Sequence, residues 1–337
     1  MAWYNTTGPL ADTVISSRVR LARNIKGYLF PSRLDANGAN EIIEKISAPL
    51  ESEGFRRINF SDISPVMATS YVERHYVSPE FATMETPHAL LLQETGGIAV
   101  MVCEEDHLRI QSILPGLSLE DAYKNASSIE KKLDADFDFA YSDTLGYLTH
   151  CPTNLGTGMR ASVMMFLPAL SRGGYIASLA AQLTKLGLAM RGLFGEGSGV
   201  AGCMYQISNQ ITLGVSESEI LAKLTEAVKQ IHESEMQARK NIGEDALDRL
   251  TDRVMRSVGI LKNAYMIGTE EFIKLFCDVR LGISKGIVRG IDYEQLGTLL
   301  VEAMPATLTL SSESTPKGEA ARDKLRASRI KAVLDVT

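Results

Sequence analysis

A chain of 337 residues, 45% of them hydrophobic, can bury a substantial core and is long enough for two domains. Its formal charge of -6 and pI near 5.5 exclude the partner classes that depend on excess Lys and Arg, nucleic acid and anionic membrane. The longest apolar stretches cannot span a bilayer, because 161–170 is short and 176–190 is broken by Gln182 and Lys185.

The opening MAWYNTTGPLADT has no basic segment followed by an apolar one, so no signal peptide is expected. The first sixteen or so residues read as irregular. Ser16-Ser17-Arg18-Val19-Arg20 then places two arginines two apart, on one face of an extended backbone, a geometry suited to a polyphosphate or to a solvated basic strand. Ile42, Ile43, Ile46 and Leu50 form a helical stripe. Behind the Gly96-Gly97 turn, 98–102 is a β-branched run expected as a buried strand. Glu104-Glu105-Asp106 falls at its end, and Leu108 and Ile110 resume the alternation of a strand edge facing a cleft.

Further along, 147–151 reads as a strand broken by Pro152. The loop Cys151-Pro-Thr-Asn-Leu-Gly-Thr-Gly-Met-Arg160 follows; its glycines at 156 and 158 would let backbone N–H groups converge on an anion, with Cys151 a candidate low-pKa thiolate. Five glycines in 192–202 mark an exposed, bending loop. Gly197-Ser-Gly199-Val-Ala-Gly202 matches a dinucleotide fingerprint, but the strand formers after it oppose that reading, since the fingerprint needs a helix there. From Ser216 the periodicity becomes helical: Ile220, Leu221, Leu224, Val228 and Ile231 mark one long helix. Leu247, Leu250, Val254, Val258 and Leu261 mark a second. Asn241-Ile242-Gly243 interrupts the pattern and divides the chain into 1–240 and 241–337. The second part is helical apart from a polar loop at 311–318.

The four cysteines (Cys103, Cys151, Cys203, Cys277) form no C-x-x-C pair, which argues against a disulfide scaffold or structural zinc and suits the cytoplasm. Cys203 and Cys277 read as small buried hydrophobes. There is no G-x-x-x-x-G-K-[ST], H-R-D or D-F-G motif. Instead S-S-R-V-R, E-E-D-H-L-R (104–109), C-P-T-N-L-G-T-G-M-R (151–160) and R-G-L-F-G-E (191–196) stand in the order and spacing of the guanidino (phosphagen) kinases, which this chain resembles over 16–214.

The resemblance implies an α+β fold, an antiparallel β-sheet flanked by helices, followed here by a small all-helical domain. It implies that Arg18, Arg20, Arg109, Arg160 and Arg191 bind ATP phosphates and that His75 packs on the adenine. Glu105, with Glu104 beside it, Glu196 opposite and Cys151 against it, would hold the acceptor guanidinium. A guanidinium has a pKa above ~12 and no free lone pair, so carboxylates must orient it and accept its proton. No Walker-B-like aspartate is evident, and Mg²⁺ is expected on phosphates and water rather than on a protein metal site.

Two departures bear on the acceptor. Small-molecule members carry a helical domain of about a hundred residues before the first arginine cluster, whereas Arg18 stands near the start here. Near the other end, Arg322-Asp323-Lys-Leu-Arg326-Ala327 matches the R-D-x-x-R-A phosphoarginine-recognition motif of bacterial protein-arginine kinases; a salt-bridged helix face is the plain alternative. The resemblance then implies a protein-arginine kinase forming a homodimer through its helical domain, with phosphoarginine sensed at Arg322, Asp323 and Arg326. It also implies protein substrates with exposed arginine, a possible zinc-binding activator protein, and stress-response marking of repressors or misfolded proteins for a Clp protease. A free-arginine phosphagen kinase and a non-catalytic phosphoarginine-binding adaptor are the alternatives. Cys103 stands where an Asn commonly precedes E-E-D-H, and Gln206 where small-molecule enzymes tend to have Asp.

Overall fold

A computed structural model describes residues 2–192, 203–312, 316 and 318–334. Its strands are β1 (Val14–Arg23), β2 (Arg56–Asn59), β3 (Ala89–Gln93), β4 (Ile98–Val102), β5 (Leu108–Pro115), β6 (Tyr141–Ser142), β7 (Gly146–Tyr147), β8 (Met159–Phe166), β9 (Leu188–Gly192) and β10 (Met204–Asn209). The helices of the first part are α1 (Ala36–Ser52), α2 (Pro65–Glu73), α3 (Pro79–Ala82), α4 (Leu119–Asp136), α5 (Pro168–Arg172), α6 (Ile176–Lys185) and α7 (Glu217–Lys240). After them come α8 (Glu244–Asn263), α9 (Thr269–Ser284), α10 (Tyr293–Glu302), α11 (Pro305–Leu310) and α12 (Glu319–Leu334).

Eight strands form one antiparallel sheet in the order β2-β3-β4-β5-β1-β8-β10-β9. Strand alternation sorts its two faces. Val19, Leu21, Val100, Val102, Leu108, Ile110, Ala161, Val163 and Ile207 point into one core, shared with the apolar stripes of α1, α4 and α7. Ala99, Met101 and Ile113 point the other way, into a second core with Trp3, Phe60, Tyr71 and Phe81. The β5-β1-β8 part of that second face carries Arg18, Arg20, Arg109 and Arg160, and there the cleft opens.

The helical starts follow local capping chemistry. Ser216 makes a capping box with Glu219 at α7, Asp292 one with Gln295 at α10, and the Asp35 carboxylate accepts from Gly38 at α1. Two expectations are corrected. Of the expected strand 147–151 only Tyr147 is a strand residue, in β7, which pairs with β6 as a hairpin. The groups beyond it bond elsewhere: Asn24 Nδ2 donates to Leu148 O (3.0 Å), and His150 N donates to Asp106 Oδ1 (2.7 Å). The alternation after Asp106 belongs to an interior strand, because β5 lies between β4 and β1.

Helices α8, α9, α10 and α12 build a third core around Phe272, Phe276, Leu296 and Ile330, which also takes Phe166 and Met204 from the sheet. A buried ion pair fastens this region to the first. Glu235 of α7 accepts from the N–H groups of Ala169 (3.0 Å) and Leu170 (2.9 Å) and from Arg239 Nε (2.7 Å). Arg239 also donates to Asp12 O, Phe166 O and, on α9, Ser284 Oγ. Glu235→Ala would strand a buried guanidinium, so a loss of about 3–5 kcal/mol in unfolding free energy is expected, read from urea midpoints. Loss of only a few tenths would show that the pair does not hold the two regions.

Candidate active site

Sheet register assembles the cations. β1 sets Arg20 opposite Arg160 of β8 and Ala22 opposite Arg109 of β5, so guanidinium groups from three neighbouring strands converge on the cleft face. Burial, then the charges of Arg160 and Arg109, bring the Arg18 pKa down to about 10. Burial and then Arg18 push Arg20 well below its ordinary value, and burial and then Arg191 lower Arg160. The Nε–H groups of Arg20 and Arg160 meet no acceptor among the described residues. Like charges held this way, with unused donors, are arranged for an anion with several negative oxygens. Arg191, exposed on β9, lines with Arg160 an adjoining hollow of about 270 Å³.

The central cleft, about 210 Å³, is walled by Arg20, Arg109, Arg160, Glu105, Cys151 and Asn154, with smaller contributions from neighbours. Glu105 Oε2 accepts from Arg109 Nη2 (2.9 Å) and remains about one-third exposed. Glu104, expected beside Glu105 at the acceptor guanidinium, is not among the residues that line the cleft. Its carboxylate takes Arg109 Nη1 at 2.7 Å and the Ser78 hydroxyl at 2.5 Å, and it is 7% exposed. Glu104 therefore holds Arg109 in place, while Glu105 lines the cleft. The turn between them and β4 starts at Cys103, which is buried at φ +61 and donates its N–H to His107 O (2.9 Å). Asparagine enters that left-handed region more readily than most residues, a physical reason for it to be common before E-E-D-H.

The thiol loop is also built differently from the expectation. Gly156 N–H donates to Leu145 O (2.8 Å) and Thr157 N–H to Thr212 O (3.0 Å), so these groups do not converge on an anion. Glycine is required instead for close backbone contact: at Gly156 (φ +96) a Cβ would lie 2.2 Å from Thr212 O. Cys151 is half-buried in the cleft wall ahead of a 3₁₀ turn at Pro152–Asn154, with Sγ 3.0 Å from Thr153 Oγ1.

A side-chain clamp unread in the sequence joins the acidic and thiol loops. Asp106, 1% exposed, accepts through Oδ1 from Asn24 Nδ2 and from His150 N, both at 2.7 Å. Asn24 Oδ1 accepts from His107 N (2.9 Å), and His107 Nε2 bonds to Leu29 O (2.7 Å). Glu105 and Cys151, one residue from either end of this clamp, are thereby fixed relative to each other. Arg23, buried against Glu130 (2.6 Å), donates to Thr157 O and lies 3.4 Å over the Tyr147 ring, bracing the same loop.

At the other end of the arginine row, Ser16, Arg18, His75, Ser162, Met164 and Gln206 line a narrow hollow. His75 is held at φ +63, and burial and then the nearby Arg18 lower its pKa to about 4. A neutral, planar ring of this kind can stack on an aromatic base. Among the described residues no three His, Cys, Asp or Glu side chains gather as a metal site.

The remaining candidates lie elsewhere. Glu196 falls outside the described residues, as does the glycine fingerprint 197–202. Arg322 and Asp323 are half-buried on the first turns of α12. Arg326 points inward, 1% exposed, and donates to Ala303 O (2.8 Å), Ile267 O (2.6 Å) and Asp323 Oδ1 (2.6 Å). It thus shapes the Arg322/Asp323 surface from beneath, a finding the expected direct contact with phosphate did not include.

An antiparallel sheet presenting an arginine row, an acidic side chain and a thiol defines a phosphoryl-transfer site for a cationic acceptor. Residues 39–238 match the ATP:guanido phosphotransferase C-terminal catalytic domain, and residues 247–337 match the protein-arginine kinase McsB C-terminal domain. The chain is 40% identical to the protein-arginine kinase of Pelotomaculum thermopropionicum, over 98% of this chain and 94% of that one. It is 40% identical to that of Halothermothrix orenii, over 99% and 96%. Among solved structures, the substrate-free duplicated taurocyamine kinase of Schistosoma mansoni superposes with a TM-score of 0.61 and 26% identity, over 76% of this chain and 38% of that one. The chain belongs to the ATP:guanido phosphotransferases and, within them, to the protein-arginine kinase family.

Two outcomes follow from this geometry. Asn24→Ala should lower kcat about 10- to 100-fold through misplacement of the two loops while leaving ADP affinity within about twofold, measured by steady-state kinetics beside a binding titration. Equal losses in both would contradict the clamp's assignment to the acceptor side. Because the folded-state pKa of His75 is depressed, its contribution to stability is full above the unfolded value of 6.5 and is lost as pH falls towards about 4. An NMR titration should find its ring neutral down to pH 5; a midpoint near 6.5 would contradict the burial.

Proposed function

We propose that this chain transfers the γ-phosphoryl group of ATP to the guanidinium of arginine residues in proteins. The observation that carries the reading is the joint presence of the arginine row with Glu105 and Cys151 in one cleft and of a following segment that matches the McsB C-terminal domain. The adenine lies against His75 and the triphosphate runs along Arg18, Arg20, Arg160, Arg109 and Arg191. Phosphoryl transfer needs in-line positioning and neutralised oxygens more than covalent help, which a preorganised cation row supplies. Mg²⁺, carried on the phosphates, adds to that neutralisation when bound.

Glu105 is the carboxylate among the cleft-lining residues. It orients the acceptor guanidinium through two N–H groups and takes up the proton released as a guanidinium nitrogen bonds to the γ-phosphorus and the bond to ADP breaks. Cys151 packs against the cation from the facing loop. Glu196 is proposed as the second carboxylate. Residues 1–240 form the catalytic domain and 241–337 a helical domain that dimerises and senses phosphoarginine at Arg322 and Asp323, with Arg326 behind them. Family resemblance supports a cytoplasmic role in protein quality control, with products directed to a Clp protease and a zinc-binding activator protein as partner.

Mass spectrometry without acid treatment, on a denatured protein incubated with ATP and the enzyme, should find phosphate mass on arginine. Glu105→Gln should reduce its formation by about 10²- to 10³-fold, the scale of a lost general base. Robust phosphorylation of free arginine with none on protein would instead establish the small-molecule reading.

A further inference from the structure

An acidic residue at the end of a helix faces the negative end of the helix dipole and ordinarily destabilises it. Glu73 is such a residue, the last of α2, directly before the turn that carries His75. Its carboxylate is used by a distant element. Oε1 accepts from Ala306 N (2.8 Å), and Oε2 accepts from Thr307 N and Thr307 Oγ1 (both 2.7 Å), while Ser70 Oγ lies 3.0 Å from Thr307 Oγ1. A local rule broken with such complete compensation marks a feature with a task.

The task is legible in the turn. His75 N–H donates to Val72 O (2.9 Å) and Tyr76 N–H to Tyr71 O (3.0 Å), which closes α2 with a left-handed residue. That position, at φ +63, favours glycine, so a histidine there is held against a backbone cost. Gln111 Nε2 holds His75 O (2.8 Å), Trp3 Nε1 holds Arg74 O (3.0 Å), and the Trp3 ring meets the His75 ring edge-on at 5.4 Å.

Both outer supports lead to the C-terminal helices. The residues bound by Glu73 begin α11, three and four positions after Ala303, whose carbonyl Arg326 Nε holds; Arg326 is in turn paired with Asp323. The segment after Trp3 rests on α10, where Tyr4 O would lie 2.1 Å from a Cβ at Gly297.

We propose that Glu73 is a positioning residue of the nucleotide pocket, which fixes His75 and transmits to it the position of α10–α12. Asp323, Arg326, Ala303, Thr307, Glu73 and His75 form the connected series. A contiguous series alone is not coupling, so the test is energetic. The proposal rests on the reading of the cleft as an ATP site and extends it to a residue outside the cleft.

Trp3 is the single tryptophan of the chain and touches His75, so its fluorescence reports ADP binding directly. With the full chain, Glu73→Gln should weaken ADP binding about tenfold, the worth of charge-assisted hydrogen bonds. The KM for the arginine substrate should stay within about twofold, a split that a general loss of structure would not produce. Thr307→Val, a milder change at the same contact, should weaken ADP binding about two- to threefold. Asp323→Asn should shift ADP affinity in the otherwise wild-type chain and leave Glu73→Gln unaffected. A wild-type chain that binds no ADP would overturn both the nucleotide reading and this proposal. Unchanged ADP affinity in folded Glu73→Gln and Thr307→Val, beside normal wild-type binding, would overturn this proposal alone. Equal shifts from Asp323→Asn in both backgrounds would overturn the transmitting role.

Discussion

Several guanidinium groups fixed on one face of adjacent strands repel one another, by roughly 2 kcal/mol for a pair about 8 Å apart in a medium of effective dielectric near 20. Backbone pairing on both sides of β1 makes that crowding inescapable, because Arg20 and Arg160 share a register position and Arg109 lies beside them. Much else in the molecule can be understood as accommodation of this charge. Glu104 neutralises one side of Arg109 from within the protein, whereas Glu105 keeps an oxygen available to the cleft. The chain's net negative charge coexists with a local cationic row, which under the proposed function draws a triphosphate to one place.

The acceptor side has a different logic. A guanidinium is planar and donates in fixed directions, so the groups that receive it must be fixed as well. Here rigidity comes from main-chain contacts and from buried side chains. Gly156 lies against the 212–213 backbone, and Asn24 spends its entire amide on Asp106, Leu148 and His107. These supports carry no chemistry of their own, yet they set the distance between carboxylate and thiol.

What could be read from sequence was what local period determines. The stripes of α1, α7 and α8, the buried strand β4 and the shared face of Arg18 and Arg20 follow from spacings of two, three and four residues. The clamp could not be read, because Asn24 and Asp106 are separated by 82 positions and nothing near either residue signals the other. The extra length of strand expected at 147–151 failed for a related reason: its backbone groups are claimed by those distant side chains. Glu104 and Glu105 illustrate the limit more sharply. Adjacent identical residues on a turn both reach Arg109 yet differ in exposure, and the buried one is the one held by Ser78, also remote in sequence.

The place of each arginine in the sheet order has a consequence for how the site fluctuates. Arg18, Arg20, Arg109 and Arg160 lie on β1, β5 and β8, each bonded to strands on both sides, where amide hydrogen exchange proceeds only through large-scale opening. Arg191 lies on β9, an edge strand, which among the described residues pairs with β10 alone. Four of the cations therefore lie on interior strands that are expected to open rarely, and the fifth lies at an edge, where opening costs less. In the proposed site, adjustment of the phosphate grip to ligands of different size falls first to Arg191, which in the sequence leads into the glycine-rich segment carrying Glu196.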